Sequence, residues 1–257
     1  MTIGSALLGS LAIAALLTPG AQADEVVGNA DVGGFRITGG GGSGNDVVLG
    51  TTDSRTITVK LTASDDSGIK SADFTLYHGS SISNADAVLK SSEAAPVCTP
   101  DGTTSVCTKH YTIDPRRELK NSLAGIWKVY VEANANDGDY VKADGHTTFF
   151  MKRYAKLTAN ASPEPVAKGG TITVSGKLTR ANWDTHDYRG YTNQRAYLEF
   201  RRPGTDYYES LGYTTTNSTG VATAKVTATA DRYWRYEFRS TMTTRGVKAT
   251  GDFVDVR

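Results

Sequence analysis

The first 23 residues contain no Asp, Glu, Lys or Arg, and the whole chain of 257 residues has only two cysteines, three methionines and seven prolines. Two cysteines are too few for a disulfide-dense miniprotein or a four-cysteine zinc site. Basic excess is also missing: 28 Lys/Arg stand against 27 Asp/Glu, which argues against a dedicated nucleic-acid binder. The 27 glycines follow no three-residue period, so the chain is not collagen-like. Its 21% charged and 9% aromatic residues exclude a disordered polar tract. Catalytic signatures are absent as well. There is no nucleophile elbow, no His-Glu-x-x-His and no phosphate-cradling loop. The run from Gly39 to Gly44 lacks a following Lys-Ser/Thr and a helix, and reads as a flexible loop or linker. His78, His110, His146 and His186 are scattered without ligand spacing. The expectation is a protein that is not an enzyme and requires no cofactor.

What is there begins with an address. Ala6 to Leu17 is an apolar run of signal-peptide length, too short to span a bilayer comfortably. Thr18-Pro19-Gly20 breaks it, and Ala21-Gln22-Ala23 before Asp24 is the small-x-small pattern that signal peptidase accepts. Residues 1–23 are therefore expected to be a signal peptide and the protein secreted, with no membrane span in the mature chain. Export accounts for the cysteines. Cys98 and Cys107 bracket a loop containing the turn signal Pro100-Asp101-Gly102, so an oxidising compartment implies a disulfide closing a hairpin or loop.

Period-two alternation dominates the mature chain. Ile57, Val59, Leu61 and Ala63 share one face of a strand, with Thr56, Thr58, Lys60 and Thr62 on the other. A strand carrying Phe74 and Leu76 follows the turn Asp65-Asp66-Ser67-Gly68, and another enters at Ala124-Gly125 with Trp127, Val129 and Val131. The one helical signal is Asp114-Pro115, an N-cap with Pro at the first position. The second half repeats this grammar: Thr171-Ile172-Thr173-Val174 copies Thr56-Ile57-Thr58-Val59, and Trp234, Tyr236 and Phe238 alternate with Arg235, Glu237 and Arg239. Pro163 and Pro165 exclude a central strand at the junction. These patterns predict an all-β chain of two tandem antiparallel β-sandwiches, residues 24–153 with an N-terminal Gly-rich segment and residues 154–257. The short, stiff junction implies a fixed or semi-fixed rod.

Asp66-Ser67-Gly68-Ile69 together with Gly125-Ile126-Trp127-Lys128-Val129-Tyr130-Val131-Glu132-Ala133 resembles bacterial immunoglobulin-like domains. The second half resembles a module of actinomycete secreted proteins through Lys168–Leu178, Tyr233-Trp234-Arg235 and the ending Gly251–Arg257. The resemblance covers most of the mature chain and implies immunoglobulin-like sandwiches. Proteins of this tandem type are often labelled calcium-binding, and no catalytic residues carry over from them.

Divided at residue 153, the mature chain is polarised. The first half has 13 Lys/Arg against 17 Asp/Glu, net −4, and the second 15 against 10, net +5. Many acids of the first half lie in turns. Calcium takes six to eight oxygens, and Asp65, Asp66, Asn134, Asn136, Asp137 and Asp139 are the candidate ligands. The Asn134–Asp139 turn does not fit an EF-hand loop, and the same residue types also serve as ordinary turn formers. The second half offers loop aromatics. Trp183, Tyr188 and Tyr191 lie in the polar stretch 180–193, and Tyr207 and Tyr208 follow the turn Arg202–Asp206. Exposed, these residues suit protein or glycan contacts. The expected function is that of a secreted, non-enzymatic binding or structural protein at the cell surface or outside the cell, with calcium as an allowed stabilising ion. Its expected partners are an extracellular protein or cell-wall polysaccharide, and not nucleic acid. The alternative is a carbohydrate- or cell-wall-binding accessory module that uses the loop aromatics.

Overall fold

A computed structural model describes residues 24–257; the expected signal peptide, residues 1–23, lies outside them. The first half contributes ten strands: β1 (Glu25–Val27), β2 (Asp31–Thr38), β3 (Val47–Leu49), β4 (Arg55–Ser64), β5 (Ile69–Gly79), β6 (Ala85–Val88), β7 (Val97–Asp101), β8 (Thr104–Ile113), β9 (Gly125–Ala135) and β10 (Tyr140–Arg153). A short helix, α1 (Pro115–Glu118), lies between β8 and β9. One sheet has the order β1-β10-β9-β5-β6, with β3 added parallel to β10; the facing sheet is β2-β4-β8-β7.

The second half repeats the plan with β11 (Ala155–Leu157), β12 (Asn160–Ser162), β13 (Thr171–Asn182), β14 (Asp187–Gly190), β15 (Arg195–Arg201), β16 (Glu209–Thr215), β17 (Val221–Thr227), β18 (Arg232–Phe238), β19 (Val247–Lys248) and β20 (Asp252–Val254). The long β13 carries β11, β12, β14 and β17, and the opposing sheet is β16-β15-β18-β19 with β20 beside β18. The chain is all-β, two tandem immunoglobulin-like antiparallel sandwiches.

Alternation decides what each strand buries. On β4, Ile57, Val59, Leu61 and Ala63 are fully buried, facing Phe74 and Leu76 of β5 and Trp127, Val129 and Val131 of β9. In the second sandwich Ile172, Val174 and Leu178 of β13 face Leu198 and Phe200 of β15 and Trp234, Tyr236 and Phe238 of β18. Each fully buried large side chain contributes about 1.5–3 kcal/mol of transfer free energy. Each core also contains one tyrosine whose hydroxyl reaches the opposing sheet. Tyr111 donates to the Phe74 carbonyl at 2.9 Å, and Tyr236 to the Val174 carbonyl at 3.0 Å. These bonds satisfy polar atoms that would be costly to bury unpaired. The helix signal holds too: the Asp114 side chain caps the Arg116 N–H of α1, while Glu118 reaches back to the Asp114 N–H.

Cys98 and Cys107 face each other across β7 and β8 and form a disulfide. The glycine run is a loop, as its composition suggested, but its first part is packed rather than free. Gly41 bridges to Val47, Gly40 accepts the Val48 N–H, and a Cβ on Gly39 would lie 2.9 Å from the Thr56 carbonyl oxygen. Gly39 to Gly42 are pressed against Asp46, β3 and β4, whereas Gly44 has open space around it.

The junction is stitched on both sides. Tyr154 N–H donates to the Leu49 carbonyl, and Ala181 N–H donates to the Tyr154 carbonyl. Arg153 exchanges backbone bonds with Thr243 and Arg245, and its guanidinium Nε donates to the Ala181 carbonyl. Burial, and then the neighbouring Arg180 charge, push the Arg153 guanidinium down to about 10. Lys152, buried beside it, holds Asp46 at 2.7 Å and Ser240 at 3.2 Å, tying the first half to the second.

Candidate functional site

Two groups of candidate residues meet different fates. At one pole of the first sandwich the acidic turns converge. Continuing the alternation of β4 beyond Ala63 turns Asp65 inward, where it is 3% exposed, and leaves Asp66 outside. The β9–β10 hairpin brings Asp137 and Asp139 to the same point, so that one carboxylate oxygen from each of Asp65, Asp137 and Asp139 lies within 4.8 Å of the others. Asp65 Oδ1 accepts from the Ser67 N–H at 2.8 Å and the Ser67 hydroxyl at 2.6 Å, while its buried Oδ2 has no hydrogen-bond partner. Asp137 Oδ1 accepts the Asp139 N–H, and Asp139 Oδ2 accepts the Asn29 N–H from the β1–β2 turn. Gly28 must be glycine there: its φ is +72°, and a Cβ would overlap the Asp139 carboxylate.

Three of the six expected ligands are therefore brought together. Asn136 sits beside them, its amide Nδ2 donating to the Ser67 carbonyl at 2.8 Å. Asn134 lies on β9, exposed and bonded to Ser71, away from the cluster. Asp66 is exposed and is not part of it. Among the described residues no Lys, Arg or His forms a salt bridge with the three clustered acids.

The loop aromatics do not form one outward face. The stretch 180–193 is a β-hairpin, β13 paired with β14, rather than a polar loop. Its alternation slips at 179–180, so that Ala181 and Trp183 turn toward the first sandwich and join that core. Trp183, expected to be exposed, is 1% exposed, and its indole N–H donates to the Gly50 carbonyl at 2.8 Å. Asn121 seals the contact: its Oδ1 accepts the Trp183 N–H, its Nδ2 donates to Asn182 and Asp184, and its backbone N–H reaches Asp184 as well. At the hairpin tip, the Thr185 hydroxyl, followed by Arg189, holds the Asp187 carboxyl below its usual range. Tyr188 is half-buried against the first core with the Lys156 ammonium over its ring, and desolvation raises its pKa. Tyr191 is also half-buried, stacked under Arg180 and edge-on to Phe238. Only Tyr207 of the five stands well out, 73% exposed; Tyr208 is half-buried beneath Arg235 at 3.5 Å.

The interleaving of Tyr233, Arg235 and Arg239 in the sequence continues as a cross-strand arrangement on the outer face of β15, β16 and β18. Arg201 stacks on Tyr233, Arg239 on Tyr197 and Arg195 on Tyr213, forming rows of guanidinium and ring. Tyr233, Arg235 and Glu237 are outward residues of β18 and Arg239 follows it directly, while their stacking and ion-pair partners include residues of other segments.

No family model and no curated protein matches this chain. Several solved structures match it over most of its length at low identity. The fibronectin(III)-like modules of CbhA from Clostridium thermocellum share 10% identity over 86% of this chain and 92% of theirs, with a TM-score of 0.34. The D00-D0 domain of intimin shares 12% over 86% of this chain and 98% of that one, TM-score 0.29. The Escherichia coli adhesin FdeC shares 13% over 91% of this chain and 66% of that one, TM-score 0.33. None of these matches supports the actinomycete group that the motifs resemble, and the fold assignment rests on the strand order and the two cores of this chain.

Proposed function

We propose that the protein is a secreted, non-enzymatic binding or structural module acting at the cell surface or outside the cell, with residues 24–153 and 154–257 as its two domains. The observation that carries this reading is the junction. The largest aromatic of the second sandwich's hairpin lies in the core of the first, and backbone bonds run from Arg153 and Tyr154 into both halves. Such a joint suits a protein that holds two surfaces at a set spacing, and a disulfide on β7–β8 suits an oxidising compartment. Fractionation of the producing cells tests it. The protein is expected in the medium or wall fraction with Cys98 and Cys107 oxidised; a cytosolic, reduced protein would sink the proposal.

A second reading has its own support. Tyr207, exposed beside the arginine–aromatic rows, offers a stacking surface for a sugar ring, which favours binding of cell-wall polysaccharide by the second sandwich. Sedimentation with insoluble wall, chitin and cellulose particles decides it. Retention that falls on Tyr207→Ala supports the glycan reading, and no retention on any particle discards it.

A further inference from the structure

We infer that the pole of the first sandwich remote from the junction is a calcium site built by Asp65, Asp137 and Asp139, and that the bound ion fastens the two sheets of that sandwich together. This inference is independent of what the second sandwich binds and of where the protein resides.

Its position follows from β9. That strand starts at Gly125, whose Cβ position lies 4.0 Å from Thr243 of the second half, and its eleven residues run about 35 Å to Ala135 at the opposite end. There four turns meet. Asp65 N–H bonds to the Thr103 carbonyl of the disulfide-closed β7–β8 hairpin. Asn136 N–H bonds to the Gly68 carbonyl, and Asn29 N–H to the Asp139 carboxylate.

The donor set points to a cation. Three carboxylates crowd within 4.8 Å, and no basic side chain pairs with any of them among the described residues. Each carboxylate has one oxygen held by hydrogen bonds and one left over. Ser67 occupies Asp65 Oδ1, Asp139 N–H occupies Asp137 Oδ1, and Asn29 N–H occupies Asp139 Oδ2. Most telling is Asp65 Oδ2, an oxygen sealed from water with no donor in reach. A buried carboxylate oxygen without a partner is costly, and a cation would satisfy it.

The chemistry selects the ion. All the donors are oxygen, which excludes a preference for zinc or copper. Calcium accepts irregular arrangements of carboxylates, loop carbonyls and water, whereas magnesium demands near-ideal octahedral geometry, which turns from separate hairpins do not pre-form. Asp65 directly follows β4 of one sheet, and Asp137 and Asp139 belong to the hairpin of the other. An ion shared among them therefore links the sheets, and through Asp139 it also steadies the β1–β2 turn.

The test is calorimetric titration of the purified chain with calcium chloride, and thermal melting in calcium, in magnesium and in chelator. Calcium is expected to bind at one site and to raise the melting temperature of the protein by roughly 5 °C, with magnesium giving less. Asp137→Asn is expected to weaken binding at least roughly tenfold, because one charged ligand is lost. Asp137 is exposed, so this variant folds even if Asp65→Asn does not. In chelator, Asp137→Asn is expected to melt at or above the wild-type temperature, because removing one of three crowded charges relieves repulsion. A merely structural Asp137 would give the opposite sign. Absence of calcium heat and of any melting shift in the wild type, or wild-type calcium affinity in Asp137→Asn, would overturn the assignment.

Discussion

The Trp183 indole donates a 2.8 Å hydrogen bond to the carbonyl of Gly50, 133 residues earlier in the chain, from inside the core of a sandwich to which its own hairpin does not belong. The bond joins the tip of the β13–β14 hairpin to the segment after β3, so the two halves share a buried side chain rather than merely touching. Energetic coupling between the sandwiches follows, and it is measurable.

Trp183→Ala removes a fully buried ring and leaves a cavity at the joint. A loss of about 3–5 kcal/mol is expected, on the scale of large-to-small core substitutions. Denaturant unfolding followed by circular dichroism is expected to change from one transition to two, because the sandwiches no longer unfold together. A single, unshifted transition would show that the joint carries no stability.

Asn121→Ala acts on the same joint through polar groups. It strips the partner from the Trp183 N–H and two acceptors from their donor. Loss of about 1–3 kcal/mol is expected from the unsatisfied groups. Combined with Trp183→Ala, the cost is expected to fall well short of the sum, because both changes break one contact. A double-mutant cycle measures the coupling.

Replacing both cysteines by serine frees the β7–β8 hairpin. The disulfide closes a short loop, with a sequence separation of 9. Chain-entropy arguments put its contribution at about 2.5–3 kcal/mol. The loss is expected in the first sandwich alone, so with two resolved transitions only one should move. Differential scanning calorimetry of the Trp183→Ala background separates them.

The second core is sensitive to alkali through Tyr236. Burial pushes its phenol up to about 12, while in the unfolded chain it ionises near 10. Below pH 10 the phenol is neutral in both states and its contribution is complete. Between about 10 and 12 the unfolded chain loses the proton and the folded one retains it, so stability falls as pH rises. The folding equilibrium is expected to weaken by up to roughly tenfold per pH unit in that window, and Tyr236→Phe to lessen the dependence. Chemical denaturation at a series of alkaline pH values reads the slope.

How much of this was legible depends on how far each interaction reaches. The alternation of β4 placed Ile57, Val59, Leu61 and Ala63 inside, and extending it by one more step would have placed Asp65 inside and Asp66 outside. Asp137 and Asp139 were legible as an oxygen-rich turn, but their meeting with Asp65 depends on the β4–β5 and β9–β10 turns emerging at the same pole. Asn134 looked equivalent in the sequence, yet it is spent on a strand and a serine.

The sequence alone determined the β character, the two-fold repetition of the sandwich pattern, the pairing of Cys98 with Cys107 across a short turn, and the inward set Trp234, Tyr236 and Phe238. All of these depend on residue type and on a period of two along a single strand, which is local information. Only the tertiary structure decided where Trp183 points. A slip of alternation at 179–180 turns it away from its own sheets, and the surface that receives it comes from Gly50 and Asn121, remote in the chain. A tryptophan among polar neighbours therefore reads as exposed, because the apolar surface that covers it belongs to the other sandwich.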